Sequence, residues 1–493
     1  MSFAIHSHLI RFKLPLLVAL VILLGGCATL SRDGGFGAVA DVAKERLAKD
    51  AQWVRSASDA DAVQAIVKKH LAQALTVDDA IQVALLNNRG LQATYAELGI
   101  AEADLVQASQ LRNPVLGYTN VRGGGTLEID KSLGFDFLQF LTIPLAKRIE
   151  TRRFEQTKLL VANDVLRIAA ETRKAYFQAV AAQESVRFAD QVKTAAEAGG
   201  QLAERMARAG NFSKLDQARE QVFYADAAAQ FARAQQVATS EREKLTRLMG
   251  LWGEGIRFQL PERLPALPAA RPELQDLEAF AMTQRLDIQA MRRHSEGLAS
   301  SLGLTKATRF INVLELGPAQ IRSPGEPVRN GYQISLEIPL FDWGGARIAR
   351  AEAIYMQSVS RLAETAINAR SEVRASYADY VGTYDLAKHY RDEVVPLRKT
   401  ISDELLLRYN GMLASVFELL ADSREQIASV NASIEALKSF WLAETELQMA
   451  LGGRLPATAI ANAPAANAPT PAMEKPAKPN MDADPHSQHR KGN

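Results

Sequence analysis

The chain has 493 residues, and its 58 lysines and arginines nearly balance its 56 aspartates and glutamates. This balance gives no electrostatic basis for binding nucleic acid, because proteins that do so carry a strongly basic surface. The single cysteine, Cys27, excludes an intramolecular disulfide and a zinc site built on several thiolates.

Residues 1–27 resemble the signal segment of a bacterial lipoprotein. Two basic residues precede the apolar run 14–24, which is shorter than the roughly 20 residues of a membrane-spanning helix. Two glycines lead to Cys27, so we expect cleavage before Cys27 and a covalent lipid on it. The resemblance implies a diderm bacterium, and Ala28 fits sorting to the outer membrane.

Residues 28–74 are predicted to be an N-terminal anchor and linker segment. Gly35-x-Gly37-x-x-Ala40 superficially resembles a dinucleotide-binding fingerprint. No predicted strand precedes it, and it begins only eight residues after Cys27. We therefore expect a flexible spacer.

The part that follows, 75–452, repeats itself. The hexapeptide Glu171–Tyr176 returns as Glu372–Tyr377, at an offset of 201 residues. Two copies of roughly 200 residues are much longer than a solenoid repeat, so they indicate duplication of a whole structural unit. We place the first copy at 75–260 and the second at 261–452.

Each copy is expected to contribute two β-strands. Residues 331–338 alternate polar and apolar side chains, which is typical of a strand with one wet face and one apolar face. The other predicted strands are 310–316, 133–137 and 115–121. In the last strand we expect Tyr332, Ile334 and Leu336 to face lipid, and Gln333, Ser335 and Glu337 to face a lumen.

Four strands are too few to form a closed barrel. Spanning barrels have at least about eight strands, and an open strand edge is not tolerated in lipid. Several copies of the chain must therefore contribute strands to one barrel, although the strand count by itself leaves the number of copies open.

Each pair of strands leads into a hairpin of two long helices. No proline interrupts 145–260, where apolar residues recur at helical spacing and alanine is frequent. The run breaks at 209–213, which predicts arms of roughly 60 and 38 residues. The second hairpin is expected from about Gly344 to Gly452, with Pro396 kinking its first arm or marking a change of register.

Three short motifs and the duplication itself carry a resemblance to a known family. The motifs are Leu75–Ala80 leading to Asn87-Asn88, the Ile338–Gly345 junction, and the hairpin tip Gly210-x-x-Ser213-x-x-Asp216. Over about 75–452 the chain resembles the outer membrane factor (TolC) family, the exit ducts of tripartite efflux pumps and type I secretion systems.

The resemblance implies a mainly α-helical fold with a small β part. It implies a homotrimer with a twelve-stranded barrel in the outer membrane and a helical barrel extending into the periplasm. A periplasmic adaptor (membrane fusion protein) would dock on the hairpin tips, and an inner-membrane transporter would supply the energy. The tip residues are Gly210, Asn211, Phe212 and Ser213 in the first copy, and Gly411, Met412, Leu413 and Ala414 in the second.

Two departures from the family pattern affect these expectations. The first copy lacks the aromatic-Asp-x-Gly-Gly turn that follows the second Ile-Pro-Leu, so we expect a tighter junction between strand and helix there. The second tip has Ala414 where the pattern prefers serine, with Ser415 one place later.

The leading interpretation is a passive outer-membrane duct that exports small molecules or metal ions and has no enzymatic activity. The chain contains no zinc-protease, serine-hydrolase or phosphate-loop motif. One alternative is the outer-membrane channel of a type I protein secretion system. Another, from a different class, is a lipid-anchored periplasmic coiled-coil adaptor or tether, against which the duplicated hairpins and the spanning-type strands argue.

Acidic residues near the tips are candidates for a periplasmic gate. Asp216, Glu418 and Asp422 lie within two or three helical turns of a hairpin end. Repeated by symmetry around a narrow lumen, they would form a ring that closes the bore or attracts cations. The alternative is that they are ordinary solvated or paired helix charges.

The C-terminal segment, 453–493, is expected to be disordered. It is rich in proline, alanine and asparagine and has few large apolar residues, so it cannot bury enough surface to offset the entropy of ordering. His486 and His489 offer two metal ligands, but the composition favours a plain tail.

Overall fold

The computed structural model describes residues 29–124, 126–272, 274–310 and 313–455. The expected lipid site at Cys27 and almost all of the expected tail, including His486 and His489, lie outside the described residues. Within them the chain is mainly helical and contains one small antiparallel sheet, as predicted.

The elements follow one another in a repeated order. The helices are α1 (Gly37–Leu47), α2 (Ala57–Leu71), α3 (Val77–Asn87), α4 (Arg89–Ala108), α5 (Phe137–Arg208), α6 (Lys214–Leu248), α7 (Leu277–Gln284), α8 (Leu286–Ala307), α9 (Gly345–His389), α10 (Val395–Asn410) and α11 (Val416–Ala450). The strands are β1 (Val115–Gly123), β2 (Thr126–Asp136), β3 (Leu314–Arg322) and β4 (Arg329–Leu336). No helix within the described ranges is long and apolar enough to cross a membrane.

The duplication is visible in the backbone. The helix pair α3–α4 is interrupted at Asn88, which has φ −65° and ψ 117°, and the pair α7–α8 is interrupted at Arg285, with φ −65° and ψ 124°. Gln92 and Gln289, each four residues after its break, donate from Nε2 to the carbonyl oxygens of Leu86 and Thr283. These two short helix pairs are therefore equivalent parts of the two copies.

Each copy also ends in the same way. Gly250 and Gly452 have φ of 64° and 88°, in the left-handed region that favours glycine. A Cβ added at Gly250 would lie 2.5 Å from the carbonyl oxygen of Asn87, and one at Gly452 would lie 3.0 Å from that of Gln284. In both copies the closing glycine therefore packs directly on the last residue of the first short helix.

The motif Leu75–Ala80 at the start of the first copy forms the capped beginning of a helix. Thr76 accepts a hydrogen bond from the Asp79 backbone N–H at 3.1 Å and begins α3, and His70 Nδ1 lies 2.7 Å from the Asp79 carboxylate. Burial raises the pKa of Asp79, but hydrogen bonds from Thr76 and His70 lower it, and the net pKa is below its ordinary value. The motif thus fixes where the first copy begins.

The N-terminal segment differs from the expected flexible spacer. It contains α1 and α2, and Gly35 is packed so closely that an added Cβ would lie 2.5 Å from Phe154 Cζ on α5. Arg46 on α1 donates from Nη1 to the carbonyl oxygens of Gln284 and Gly452, at 2.9 and 2.6 Å. The hydrogen bonds of Arg46 therefore hold α1 against the end of the second copy.

The first helical arm begins earlier than predicted. Asp136, the last residue of β2, caps α5 by accepting from the Gln139 backbone N–H at 2.9 Å, so strand passes into helix with no loop between them. The helix has 72 residues and includes Pro144, whose missing N–H removes a single helical hydrogen bond. The expected tighter junction of the first copy is confirmed, and its arm is longer than the roughly 60 residues predicted.

The second junction is more open. The chain leaves β4 and stays non-helical through 337–344, where Asp342 Oδ1 accepts from the Gly344 backbone N–H at 2.8 Å. Gly344 has φ 74°, and an added Cβ would lie 2.9 Å from the carbonyl oxygen of Arg309. The Gly-Gly pair of the family motif therefore turns the chain tightly before α9 begins.

The four strands form one antiparallel sheet in the order β1-β2-β3-β4. Predicted strand ends were displaced: β2 begins seven residues before the predicted position, and β3 runs through 314–322 instead of 310–316. The pairing of β2 with β3 is interrupted opposite Gly317 and Pro318. Pro318 has no N–H for the ladder, and an added Cβ on Gly317 would overlap the carbonyl oxygen of Leu133.

Candidate functional site

The sheet has two chemically different faces. Because side chains alternate along a strand, the register assigns Ile334, Leu316 and Phe135 to one row of the same face, with Leu336 and Leu314 in the next. We call this side the apolar face. Its large side chains at the helix-proximal end of the sheet are Leu116, Leu133, Phe135, Leu314, Leu316, Tyr332, Ile334 and Leu336.

The opposite face carries small and polar side chains. Glu315 pairs with Ser335, Gly317 with Gln333, and Gly117 with Ser132. The alternation predicted for the last strand, with Ile334 and Ser335 on opposite sides, thus extends across the helix-proximal part of the sheet. Farther from the helices, the apolar side also carries Lys131, Gln320 and Asn330. The sequence also predicts this alternation in 133–137 of the first copy, of which 133–136 belong to β2.

Much of the apolar face is uncovered in the single chain. Leu116 is 75% exposed, Tyr332 81% and Ile334 57%. Within the described residues β1 and β4 are the outer strands of the sheet, and each pairs with one neighbour only. An apolar face with two unpaired edges is unstable in water as a lone sheet.

The two hairpin tips lie against each other at the far end of the long helices. Phe212 in the first tip is 9% exposed and stacks on Phe417 at the start of α11, with ring centroids 5.0 Å apart and planes 9° from parallel. The second tip presents Met412 and Leu413, which are 93% and 81% exposed. The tip residues predicted from the sequence therefore form one composite surface. Met412 and Leu413 of the second copy protrude from it as exposed apolar side chains.

The offset of 201 residues between the two hexapeptides predicts that Gly210 corresponds to Gly411 at the tips. This prediction is wrong, because the tips are equivalent at an offset of 202. Gly210 is left-handed, with φ 75°, whereas Gly411 has φ −83° and Met412 has φ 59°. The backbone N–H groups of Asn211 and Leu413 donate to carbonyls five residues earlier, at 2.9 and 2.8 Å. Gly210 therefore corresponds to Met412. The Cβ of Met412 makes the left-handed conformation sterically unfavourable, whereas glycine adopts it without that cost.

Two of the candidate gate acids, Asp216 and Glu418, lie in the first turn of a helix that a serine caps. Ser213 accepts from the Asp216 backbone N–H at 3.1 Å, and Ser415 accepts from the Glu418 backbone N–H at 3.2 Å. Ser415, rather than Ala414, is thus the capping residue of the second tip. Asp216 also pairs with Arg219 at 3.2 Å, so the alternative of ordinary helix charges describes both acids within one chain.

The third candidate, Asp422, has a different environment. It is 9% exposed, and its Oδ2 has no hydrogen-bond partner. At the tip offset of 202 its equivalent is Glu220, which is 4% exposed and also has one oxygen without a partner. Arg424 pairs with the other Glu220 oxygen at 2.8 Å and joins the two hairpins.

Glu220 and its pairing with Arg424 were not predicted. The repeat itself contained the signal, since both acids stand seven residues after the capping serines, Ser213 and Ser415. No group of three or more histidine, cysteine, aspartate or glutamate side chains within the described ranges is arranged to hold a metal ion.

Comparison with known proteins was made at the level of sequence and of fold. No family model matches the chain. Over 283 residues it is 26% identical to the cobalt-zinc-cadmium resistance protein CzcC of Cupriavidus metallidurans, a match covering 56% of this chain. The match spans 65% of CzcC, slightly less than two thirds of that protein's length.

The solved structures of several outer-membrane proteins are similar to this one. The outer-membrane channel OprN gives a TM-score of 0.67 at 20% identity, covering 76% of this chain and 90% of OprN. CusC gives 0.64 at 18% identity, covering 76% and 92%. VceC of Vibrio cholerae gives 0.65 at 16% identity, covering 77% and 96%. The chain therefore has the fold of these proteins.

Proposed function

We infer that this chain, which has the fold of the outer membrane factor (TolC) family predicted from its sequence, is the passive exit channel of a tripartite efflux system. Three copies form a homotrimer in which each supplies four strands to a twelve-stranded barrel in the outer membrane. The long hairpins form a helical barrel in the periplasm. The covalent lipid on Cys27 anchors the assembly, and no cofactor or catalytic residue is needed.

The observation that carries this proposal is the sheet with one apolar face and two unpaired edges. Lipid can cover the apolar face, and pairing of β4 from one copy with β1 from the next removes every edge. The small and polar side chains of the other face then line an aqueous lumen.

The composite tip supports docking of a periplasmic adaptor. Met412 and Leu413 present apolar surface at the point of the molecule farthest from the sheet, and such exposed patches are typical of protein contacts. The adaptor in turn connects the channel to an inner-membrane transporter, which supplies the energy.

Metal ions are the cargo class that we favour, with small organic molecules as the alternative within the same function. The support is the similarity to CzcC, whose name identifies it as a cobalt-zinc-cadmium resistance protein. Protein secretion by a type I system remains the runner-up, since the same fold can serve it. A lipid-anchored periplasmic adaptor or tether would leave the apolar face of the sheet in water, so neither of these functions explains that face.

The experiment has two parts. Full-length purified protein is added to planar lipid bilayers, where discrete conductance steps are expected, and a strain lacking the gene is tested for growth on cobalt, zinc and cadmium salts. We expect the deletion to sensitise cells to at least one metal and the wild-type gene to restore growth. Absence of conductance would contradict the channel, and conductance with unchanged metal sensitivity would assign the cargo to another class.

We keep Asp422, Asp216 and Glu418 as the proposed periplasmic gate. The unpartnered Oδ2 of Asp422 supports a role for this residue in the assembled channel, where other copies supply neighbours. Asp422→Asn keeps the shape and removes the charge, and it should change single-channel conductance or cation preference. Unchanged values in Asp422→Asn and Asp216→Asn channels would rule out the gate.

A further inference from the structure

A polar cavity of about 600 Å³ lies where the helices of the first copy meet the sheet. Its walls come from the end of α4, the segment that follows α4, and the first part of α5. Arg112 in the wall lies 3.5 Å from the carboxylate of Asp136, the last residue of β2. The cavity is therefore at the level where the sheet ends and the helices begin.

The wall of the cavity carries two acids and two bases, so its formal charge is zero. These residues are Asp104, Glu150, Arg112 and Arg153. Arg153 Nη1 lies 4.0 Å from Asp104 and 3.7 Å from Glu150, which is too far for a hydrogen bond to either carboxylate. Within the described residues, the buried Oε2 of Glu150 has no hydrogen-bond partner. A buried carboxylate oxygen without a donor is costly, so the cavity fits a ligand that supplies one.

The N-terminal segment crosses from α4 to α5 beside this cavity. The Ser31 backbone N–H donates to Glu102 Oε1 on α4 at 2.8 Å, and Gly35 packs on Phe154 of α5. Both contacts lie within about one helical turn of the cavity wall. The cavity and the N-terminal segment are therefore on the same side of the helices.

The length of the chain before Ser31 locates the lipid expected on Cys27. Cys27 precedes Ser31 by four residues, and such a segment spans at most about 14 Å. A lipid on Cys27 must therefore enter the membrane close to this cavity. That position is the outer side of the protein, at the level of the lipid headgroups.

Apolar side chains lie at the end of the cavity nearer the sheet. Leu111 lines the cavity and is exposed, and Phe140 and Leu141, which follow the wall residue Gln139, are exposed as well. Glu150 lies about three helical turns farther along α5. The surface thus changes from apolar to charged with distance from the sheet, as the membrane does from acyl chains to headgroups.

The charges of the wall select a ligand that carries both signs. The two carboxylates repel a simple anion and the two guanidinium groups repel a simple cation, whereas a zwitterion is attracted by both sets. Guanidinium groups bind phosphate through paired hydrogen bonds. A primary ammonium group offers three N–H donors, one of which can satisfy Glu150 Oε2.

We propose that this cavity binds the headgroup of a zwitterionic aminophospholipid. Arg112 and Arg153 hold the phosphate, Glu150 accepts from the ammonium group, and Leu111 and Phe140 contact the acyl chains. The inference rests on the proposed function, which places the sheet in the membrane and a lipid on Cys27.

The site belongs to the first copy only, which predicts one bound lipid per chain. The offset of 197 that relates Gln92 to Gln289 applies to the short helices, and the offset of 201 applies to α5 and α9. The second-copy positions equivalent to the two acids and to Arg153 are uncharged. They are Ser301, Ala351 and Ile354.

Native mass spectrometry of the full-length protein, stripped of lipid in detergent, measures the binding. Phosphatidylethanolamine, phosphatidylcholine and phosphatidylglycerol with the same acyl chains are titrated separately. We expect one phosphatidylethanolamine per chain, bound about tenfold more tightly than the other two lipids. The choline group has no N–H to donate to Glu150, and the glycerol headgroup brings no positive charge.

Two variants separate the parts of the headgroup. Glu150→Gln should lower the affinity for phosphatidylethanolamine about tenfold, to that for phosphatidylcholine, because it removes the charged acceptor of the ammonium group. Arg153→Gln should weaken the binding of both lipids, because both have a phosphate. The control, Glu352→Gln, changes an exposed acid of α9 that pairs with Lys306 at 2.7 Å, and it should affect neither lipid.

A soluble headgroup identifies the source of the ligand. Glycerophosphoethanolamine, which lacks acyl chains, should bind at least about tenfold more weakly than the lipid, since it cannot bury Leu111 and Phe140. Equally tight binding would assign the cavity to a soluble ligand and overturn the lipid.

The remaining outcomes distinguish this inference from the proposed function. Equal affinity of the wild type for phosphatidylethanolamine and phosphatidylcholine would overturn the site, even if neither variant folds. A folded Glu150→Gln protein that keeps the preference would overturn it as well. A wild type that binds the lipid but does not conduct in planar bilayers would contradict the channel and leave the site standing.

Discussion

Gly250 and Gly452 close the two copies in the same backbone conformation and against the same carbonyl position. At each place a positive φ and a close backbone approach act together, so both the conformation and the absence of a side chain are required. At Gly253 only the conformation is required. Gly253 has φ 60° with no atom within 4 Å of an added Cβ.

This difference gives a matched pair of variants. Gly250→Ala must accept the left-handed conformation and displace the carbonyl of Asn87, which should destabilise the protein by roughly 2–5 kcal/mol. Gly253→Ala bears only the conformational cost of about 1–2 kcal/mol. Thermal unfolding followed by circular dichroism compares them, and equal melting temperatures would contradict the packing described for Gly250.

Single residues were the hardest part to predict from the sequence. The position of the first tip followed from local rules, since a glycine can end a helix and a serine such as Ser213 can accept from the free N–H groups of the next. That Ser415 caps the second tip was not predicted. The stacking of Phe212 on Phe417 and the pairing of Glu220 with Arg424 depend on which helix lies beside which. That information is tertiary, and no local spacing contains it.

At the scale of elements, the alternation in β4 predicted the chemistry of the two faces in the helix-proximal part of the sheet. The register places Ile334 beside Leu316 on the apolar face and Ser335 beside Glu315 on the other. If the apolar face meets lipid, neighbouring positions on one strand should respond oppositely to the same added charge.

Ile334→Lys and Ser335→Lys test this assignment. A lysine near the membrane midplane should cost about 2–4 kcal/mol on the lipid side and very little on the lumen side. The amount of assembled protein extracted from outer membranes measures the effect. Equal assembly of the two variants would mean that the faces are assigned wrongly.

Element boundaries were less predictable than element types. In each copy the two strands and the helical hairpin after them were predicted in the right order, because hydrophobic periodicity distinguishes strands from helices. The short helices that precede the strands were not predicted. The start of α5 was wrong because Pro144 and Leu145 suggested a junction, whereas Asp136 already caps the helix. The anchor segment was wrong because its glycines suggested flexibility, although Gly35 packs tightly on Phe154.

At the scale of the whole molecule, the mainly helical fold with a small sheet that the sequence predicts is confirmed, and it is the fold of OprN, CusC and VceC. What the single chain cannot provide is closure, since β1 and β4 each have one neighbour in the described sheet. Away from the sheet the single chain does hold its two ends together, because Arg46 on α1 donates to the carbonyl oxygen of Gly452, just after α11. Burial, and secondarily the charge of Arg454, lowers the pKa of Arg46.

The number of copies is directly measurable. Native mass spectrometry of the protein purified from membranes, released from a mild detergent, should give three chains per particle. A stable particle of one chain that still conducts in bilayers would contradict the shared barrel. Heating should convert the trimer to monomer in one step, because the edges of all three sheets pair with one another.

The free strand edges have a consequence for the life of the protein before assembly. A newly exported chain crosses the periplasm with the outer edges of β1 and β4 unpaired. Any extended peptide, including a misfolded copy of the same chain, can add a strand to these edges. To reach the membrane without aggregating, the chain therefore requires a chaperone that covers β1 and β4, or a concentration low enough that membrane insertion is faster than aggregation. Overproduction should accordingly yield periplasmic aggregates well before the outer membrane is saturated.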